Sequence, residues 1–191
     1  SYAMGQQLGE SLKSAGVTRD NMNMEVFSKG LNDLLDGKRG ITPAERKTAV
    51  QTNLMKITEE KSKKQGEAGK VFLEENAKKT GVKVTPSGLQ YEVITEGTGD
   101  KPTAESTVKV HYKGTLVDGT VFDSSYDRGE PIEFPLNQVI KGWTEGVQLM
   151  TPGSKYKLYI PSDLGYGPKG SPPTIPGGSA LIFEVELLEV K

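Results

Sequence analysis

The spacing of the apolar residues changes near Gly81, and this change constrains the fold more than any other feature of the sequence. Before Gly81 the apolar residues recur at helical intervals, as Met24, Phe27 and Leu31 do. After it they alternate with polar residues, as in residues 108–113. The first spacing is typical of amphipathic helices, and the second of strands with one buried face. The sequence therefore predicts a helical N-terminal part and a β-rich C-terminal part.

The composition narrows the classes of function. A chain of 191 residues can form one large or two small domains. Most of the 23 glycines and 11 prolines follow residue 80, which favours a turn-rich β region there. The 24 basic and 25 acidic residues nearly cancel, so the charge indicates no affinity for nucleic acid. The absence of cysteine excludes disulfides and thiolate metal sites, and no apolar run approaches the ~18 residues of a membrane span.

Two short helices are predicted in the first 42 residues. The first covers residues 2–15 and contains two glycines four residues apart, which form a flat strip that another helix can approach closely. The second begins at a cap, Asn21 or Asn23, and ends at Gly37. About 40 residues bury too little apolar surface to be stable alone. We therefore expect this region to pair with a second copy of the chain.

A long helix is predicted to follow. Residues 42–45, Thr-Pro-Ala-Glu, form a strong helix start, because the threonine caps the first amides, the proline needs no N–H there, and the glutamate completes a capping box. Pro43 is the only proline in the first 85 residues, so one helix is predicted over residues 43–79. An alternative with two helices, broken at Gly66 or Gly69, stays open because glycine weakens a helix interior.

The C-terminal part is predicted to be an antiparallel sheet with one covered face, since apolar and polar residues alternate along each strand. Asp118-Gly119 predicts a hairpin turn. The alternating segments cover residues 89–93, 108–113, 156–160 and 181–187.

One short helix can cover this sheet. In residues 137–147, Ile140, Trp143 and Val147 share a helical face, and Asn137 can cap the start. Trp143 is the only tryptophan of the chain. Two interpretations of Trp143 stay open, an ordinary core residue or the floor of a cleft between helix and sheet.

A long loop interrupts the last part of the sheet. Residues 161–179, which we call the flap, lack periodicity yet carry Tyr166 and Ile175. Loops of this length inside a domain are uncommon and are often functional. We interpret this one as a cover over the open side of the cleft.

Few of the usual catalytic groups are present. His111 falls on the polar face of a strand and is interpreted as a surface histidine, and the nucleophile, phosphate-loop and zinc-protease motifs are absent. Paired carboxylates such as Glu59-Glu60 are interpreted as solvated helix charges. What remains is an apolar aromatic cleft next to Asp123, with these candidate lining residues: Tyr112, Phe122, Trp143, Tyr166 and Phe183.

Several collinear motifs resemble the FKBP family of macrolide-binding peptidyl-prolyl isomerases. They are Val110-His-Tyr-Lys-Gly114, Asp118-Gly-Thr-Val-Phe-Asp-Ser-Ser125, Val139-Ile-Lys-Gly-Trp143, Leu164-Gly-Tyr-Gly167 and Leu181-Ile-Phe-Glu-Val-Glu-Leu187. The resemblance covers residues 88–191. The first 80 residues, through the Ser-Tyr-x-Met-Gly opening and the long helix, resemble the Mip-like (macrophage infectivity potentiator) branch, in which an intertwined helical dimer carries each isomerase domain on a long helix.

The resemblance implies an α+β fold. A C-terminal antiparallel sheet wraps around one short helix, and an all-α dimerisation region and a long connecting helix precede it. The implied domains are residues 1–42 for dimerisation, 43–80 for the connecting helix and 81–191 for the isomerase.

The resemblance also implies the site. Its catalytic residues are Asp123, Tyr166, Trp143, Phe183 and Tyr112. Its substrate-binding residues are Phe122, Arg128, Ile132, Val139, Ile140 and Ile175. The resemblance implies neither a cofactor nor a metal. Three positions depart from the commonest family pattern and are expected to alter the rim: Ile132 in place of an aromatic residue, Ser171 in place of a histidine and Thr174 in place of an aliphatic residue.

The implied function is acceleration of X–Pro isomerisation during protein folding, by non-covalent stabilisation of the twisted amide. The alternatives are a dimeric chaperone or interaction module in which turnover is secondary, and a host-directed surface factor. The implied partners are proline-containing peptides, unfolded proteins, macrolide inhibitors of the rapamycin type and a second copy of the chain, with no nucleic acid. A bacterial cell envelope location, in the periplasm or at the outer membrane, is expected, with the cytoplasm as the alternative.

Overall fold

Three helices precede the sheet in the computed structural model, which describes residues 1–38 and 40–191. They are α1 (Tyr2–Ser14), α2 (Met24–Leu35) and α3 (Pro43–Asn76). The contacts within the chain define two units, Ser1–Lys61 and Ser62–Lys191. None of the helices in the described ranges is both long and apolar enough to cross a membrane.

Side-chain caps start α2 and α3. Asn23 accepts a hydrogen bond from the Val26 amide at 3.0 Å, so Asn23 rather than Asn21 caps α2. At α3, the Thr42 amide donates to the Glu45 carboxylate at 2.8 Å, and the Glu45 amide donates to the Thr42 hydroxyl at 3.2 Å. This reciprocal pair satisfies two amides that the helix itself leaves free. The predicted capping box is confirmed.

Helix α3 is continuous over its 34 residues. The alternative of two helices broken at Gly66 or Gly69 is therefore wrong, and the helix ends at Asn76, three residues before the predicted end. Gly69 is buried against Ala180, where a Cβ atom would lie 3.0 Å from the Ala180 Cβ. Glycine at this position thus permits close packing rather than ending the helix.

The first two helices bury none of their own residues completely. Leu34 and Leu35 of α2 are 56% and 76% exposed, and Met4 of α1 is 76% exposed. Exposed apolar side chains in such density are unusual for a monomeric surface. This unit therefore presents a large uncovered apolar surface.

Seven strands form one antiparallel sheet, as predicted. Their order is β1-β2-β6-β7-β3-β4, and β5 pairs with β3. A short helix, α4 (Ser125–Arg128), follows β4. The strands are β1 (Val82–Val84), β2 (Gln90–Thr95), β3 (Thr107–Leu116), β4 (Val121–Ser124), β5 (Ile132–Pro135), β6 (Lys155–Ile160) and β7 (Leu181–Val190).

The β3–β4 turn forms where Asp118-Gly119 predicts it. The Gly119 amide donates to the Leu116 carbonyl at 3.0 Å, and the Thr120 amide donates to the Asp118 carboxylate at 2.9 Å. Gly119 has φ of +87°, a conformation that side chains with a Cβ rarely adopt. This turn fixes the register of the strand that carries Asp123.

One short helix, α5 (Lys141–Val147), covers the sheet. Its start differs from the prediction, because Asn137 lies in a separate 3-10 turn and the extended Ile140 precedes the helix. The Thr144 hydroxyl donates to the Leu136 carbonyl at 2.6 Å and ties that turn to the helix. The predicted cap by Asn137 is therefore wrong, although the shared face of Trp143 and Val147 is buried as expected.

Two glycines let α5 lie close to the sheet. A Cβ atom on Gly142 would lie 2.5 Å from Ile160 Cγ2, and one on Gly146 would lie 2.7 Å from Leu158 Cδ1. Both partners belong to β6 and are fully buried. The helix backbone therefore rests directly on the aliphatic side chains of the sheet.

We expect Gly142→Ala to destabilise the protein by about 1–3 kcal/mol, because the added methyl overpacks a buried β-branched side chain that cannot rotate away easily. Urea unfolding followed by circular dichroism measures this. The control is Lys141→Ala at an exposed position of the same helix, for which we expect a change within about 0.5 kcal/mol. Equal stability of the two variants would contradict the packing described.

Candidate active site

A cavity of about 520 Å³ opens between α5, the sheet and the flap. All but one of the residues that the resemblance implies line it, the exception being Arg128. Those residues come from six separate parts of the chain, which the topology brings together. They are Tyr112, Phe122, Asp123, Ile132, Val139, Ile140, Trp143, Tyr166, Ile175 and Phe183.

Trp143 forms the floor of this cavity. The ring is 5% exposed and meets Tyr112 and Phe183 edge-on, with centroid distances of 5.3 and 5.1 Å. The Phe134 ring also packs against the indole, with a centroid distance of 5.4 Å. Edge-to-face packing of this kind fixes ring orientation as well as burying area. The two interpretations of Trp143 are thus not exclusive, since the side chain is both core and floor.

Gly114 on β3 leaves space for two of the aromatic walls. A Cβ atom there would lie 2.6 Å from the Phe122 ring and 2.8 Å from the Phe183 ring. The two rings meet edge-on at 5.4 Å. Glycine is therefore required on this strand for the rings to approach the backbone.

The Asp123 carboxylate is held from two sides. The Tyr112 hydroxyl donates to one oxygen, and Arg128 donates to the other. A second guanidinium nitrogen of Arg128 donates to the Tyr112 hydroxyl oxygen at 3.0 Å. Arg128 thus acts on the cavity through Asp123 and Tyr112 without lining it.

These contacts shift two pKa values in opposite directions. Burial alone would raise the pKa of Asp123, but the hydrogen bonds from Tyr112 and Arg128 outweigh it and hold the pKa below its ordinary value. Burial, followed by the hydrogen bond to Asp123, raises the pKa of Tyr112. At neutral pH the site therefore contains an ionised carboxylate and a protonated phenol.

The flap forms the rim of the cavity. It is less irregular than the sequence suggests, because it contains two 3-10 turns, and Ser171 and Ile175 exchange backbone hydrogen bonds at 2.8 and 3.0 Å. Ile175 is buried, whereas Tyr166 is 41% exposed. Ser171 and Thr174 are exposed and line the cavity at this rim.

Two residues that line the cavity, Ile140 and Tyr166, carry hydrogen-bond donors that have no partner among the described residues. Within residues 1–38 and 40–191, neither the Ile140 amide nor the Tyr166 hydroxyl makes a hydrogen bond. Ile140 has extended geometry just before α5, so its N–H is not used by the helix. Both donors are available to a bound carbonyl oxygen.

Sequence reasoning missed three lining residues, Phe134, Gln138 and Pro172. Phe134 could have been found, since Ile132 and Phe134 alternate along β5 and face the same side of the strand. Gln138 and Pro172 lie in a 3-10 turn and in the flap, where no periodicity points to the cavity.

His111 lies outside this cavity. Its Nδ1 is 2.9 Å from the Ser125 hydroxyl, and its ring stacks on Tyr126 with a centroid distance of 4.7 Å. A surface histidine would be fully exposed, whereas the His111 side chain is half-buried. In the described part of the chain, no group of three or more His, Asp and Glu side chains is placed to hold a metal ion.

Comparisons with known proteins match both parts of the chain. Residues 99–188 match the family described as FKBP-type peptidyl-prolyl cis-trans isomerase, and residues 1–93 match the domain amino-terminal to it. FkpA of Aeromonas hydrophila is 48% identical over 204 residues, covering 100% of this chain and 75% of that protein. Outer membrane protein MIP of Legionella longbeachae is 43% identical, with coverage of 100% and 84%.

A solved structure extends the similarity to the whole chain. The crystal structure of FkpA from Escherichia coli matches with a TM-score of 0.78 at 37% identity, covering 100% of this chain and 94% of that chain. N-terminal helices followed by an antiparallel sheet with one short helix are thus common to both. The chain belongs to the FKBP-type peptidyl-prolyl cis-trans isomerases. It accelerates the interconversion of cis and trans peptidyl-prolyl bonds, and the alternative in which turnover is secondary is not favoured.

The lowered pKa of Asp123 predicts a pH dependence of stability. Because the native pKa lies below the ordinary value of 3.8, the stabilisation by this carboxylate is present above 3.8 and is lost as the pH falls through the native value. We therefore expect the unfolding free energy of the parent to exceed that of Asp123→Asn at pH 7. The gap should shrink by pH 3.

Urea titrations at pH 7, 5 and 3 measure this gap. The matched control is Glu130→Gln, which neutralises an exposed carboxylate that has no ion pair among the described residues. The unfolding free energy of Glu130→Gln should stay close to that of the parent at all three pH values. A gap for Asp123→Asn that is constant with pH would show that the carboxylate charge is not what the site stabilises.

Proposed function

We propose that the aromatic cavity is where the prolyl bond rotates. The observation that supports this most strongly is a buried apolar floor, Trp143, in a cavity that also contains an ionised carboxylate and two unpaired donors. A proline ring is a compact apolar group that an indole floor and phenyl walls can accept. The flanking amide then lies at the polar rim.

The barrier to be lowered is the loss of amide resonance. Rotation about the C–N bond costs about 18–20 kcal/mol, and X–Pro bonds interconvert in tens to hundreds of seconds without a catalyst. The twisted amide is less polar than the planar amide. An apolar cleft that excludes water therefore favours the twisted form relative to the ground state, which is what lowers a barrier.

The polar groups have distinct roles in this mechanism. The Ile140 amide and the Tyr166 hydroxyl donate to substrate carbonyl oxygens on either side of the rotating bond. Asp123 either engages the rotating amide or, paired with Arg128, shapes the wall of the cavity. No covalent intermediate is formed, since neither bond making nor proton transfer is needed for rotation.

The substrates are proposed to be unfolded proteins as well as short proline-containing peptides, and macrolides of the rapamycin type are proposed to occupy the same cavity. The open rim, with Ser171 and Thr174 exposed, suits an extended chain passing across it. The chain is further proposed to divide into residues 1–42 for dimerisation, 43–80 for the connecting helix and 81–191 for the isomerase.

The location proposed is the bacterial cell envelope, either the periplasm or the outer membrane. Its support is similarity to a protein named outer membrane protein MIP, together with a chain free of cysteine, which tolerates an oxidising compartment.

We expect Tyr166→Phe to lower kcat/KM for a short X–Pro peptide about three- to tenfold, the value of one hydrogen bond. The control is Tyr126→Phe, because Tyr126 is similarly exposed, 38% against 41%, and lies outside the cavity. Tyr126→Phe should leave kcat/KM unchanged. A protease-free peptide assay and proline-limited refolding of a model protein measure both. Full activity of a Tyr166→Phe, Asp123→Ala double variant would exclude the cavity as the working site.

We also expect the chain to form a homodimer through α1 and α2, with a solution mass twice its 20.7 kDa. Leu31→Glu with Leu34→Glu places two charges on the exposed apolar surface of α2 and should shift the protein to monomer. Lys29→Gln with Asn32→Glu changes the net charge by the same two units at two exposed polar positions of the same helix, at the cost of one surface ion pair with Asp33, and should not. Sedimentation velocity distinguishes the monomer from the dimer. A parent protein that sediments as a monomer at both ends of a 100-fold concentration series would refute dimerisation.

A further inference from the structure

The C-terminal part of α3 touches Gly178 at the end of the flap and Ala180, which comes directly after the flap. Gly69 is buried, and a Cβ atom on it would lie 3.0 Å from Ala180 Cβ and 3.2 Å from Ala180 N. One turn earlier, a Cβ atom on Gly178 would lie 3.3 Å from both Gly66 Cα and the Ser62 carbonyl oxygen. The helix and the end of the flap therefore meet backbone to backbone.

The position of this helix is fixed independently of the flap. The Asn76 side chain is 1% exposed and donates to the Gln90 amide oxygen at 3.0 Å. Gln90 in turn donates to the Leu73 carbonyl at 2.8 Å. Because these buried hydrogen bonds join α3 to β2, the helix gives the flap a fixed support rather than moving with it.

Hydrogen bonds within the flap connect this support to the cavity. The Gly178 amide donates to the Gly167 carbonyl at 2.9 Å, next to Tyr166. The Ser179 hydroxyl donates to the Pro176 carbonyl at 2.7 Å, and Pro176 adjoins Ile175. Both Tyr166 and Ile175 line the cavity. A shift of the flap end would therefore move two walls of the cavity.

We infer that the segment Ser62–Asn76 of α3 is part of the isomerase site, with Gly69 as a positioning residue that sets Tyr166 and Ile175 through the end of the flap. The inference rests on the proposed function of the cavity. The inference gives a part in catalysis to a helix that lies outside the implied isomerase domain. It also explains why a glycine occupies the interior of α3, where glycine normally weakens a helix. Gly69 touches no substrate and acts only through the flap.

The test compares two identical substitutions three residues apart in the full-length chain. In Gly69→Ala the new methyl would lie 3.0 Å from Ala180 Cβ and 3.2 Å from Ala180 N, so this contact has to open by a few tenths of an ångström. Because the helix is held by its bonds to β2, we expect the end of the flap to give way and kcat/KM for a short X–Pro peptide to fall at least fivefold. Gly66→Ala gains the same helix propensity, but its nearest atom would be the Gly178 carbonyl oxygen at 3.7 Å, an ordinary contact. We expect its activity to stay within twofold of the parent.

A compensating change separates positioning from a general loss of structure. Ala180→Gly removes the methyl that Gly69→Ala meets, so the double variant should recover at least half of the lost kcat/KM. The Ile175 δ1-methyl NMR signal should shift in Gly69→Ala, shift less in the double variant and stay unchanged in Gly66→Ala. A merely structural role of Gly69 would move the melting temperature without this pattern.

Each outcome decides the inference. Unchanged activity and an unchanged Ile175 signal in folded Gly69→Ala overturn the inference. It is also overturned if Gly66→Ala loses as much kcat/KM as Gly69→Ala, or if the double variant recovers none of the lost kcat/KM. If Gly69→Ala does not fold, Ala180→Gly alone takes its place, since it loosens the same contact without adding bulk. A twofold or larger fall in its kcat/KM supports the inference, and full activity overturns it. An inactive parent in the same assay would instead refute the proposed function.

Discussion

The direct contact between α5 and the sheet is the constraint on which the site depends. Gly142 and Gly146 bring the helix backbone onto Ile160 and Leu158. At this distance the Trp143 indole reaches Tyr112 and Phe183 edge-on. With bulkier residues the helix would stand further out, and the same indole would face a gap. The floor of the cavity is thus a result of backbone packing as much as of the tryptophan.

Most of the fold could be predicted because the signals are local. Three kinds of signal each specify structure within a few residues. They are the alternation along β3, β6 and β7, the Asp118-Gly119 turn and the Thr42/Glu45 capping box. The start of α5 could not be predicted in this way. Asn137 is a good cap by type, but the strand that ends at Pro135 and the bond from Thr144 to Leu136 place a separate turn there. Tertiary contacts, not propensity, decide where α5 begins.

The site shows the same limit. Five aromatic residues and Asp123 could be proposed from the sequence itself, whereas the other members came from resemblance to a family, because residues from six parts of the chain share no spacing. Phe134 carried a usable signal in its alternation with Ile132, whereas Pro172 carried none. The glycines of α3 are more instructive. In the sequence they suggest a break, and in the structure Gly69 is the point of closest packing. A glycine that breaks a helix and a glycine that permits close packing look the same in the sequence. Only the residue that Gly69 packs against, Ala180, shows which of the two applies.

The uniqueness of Trp143 has a practical consequence. Because it is the only tryptophan among 191 residues and lies at the floor of the cavity, all indole fluorescence of the chain originates there. Emission excited at the red edge of the absorption band, where tyrosine contributes little, therefore reports the environment of the cavity floor in the folded protein. The protein contains its own optical probe, so ligand titrations need neither a label nor a chromogenic peptide.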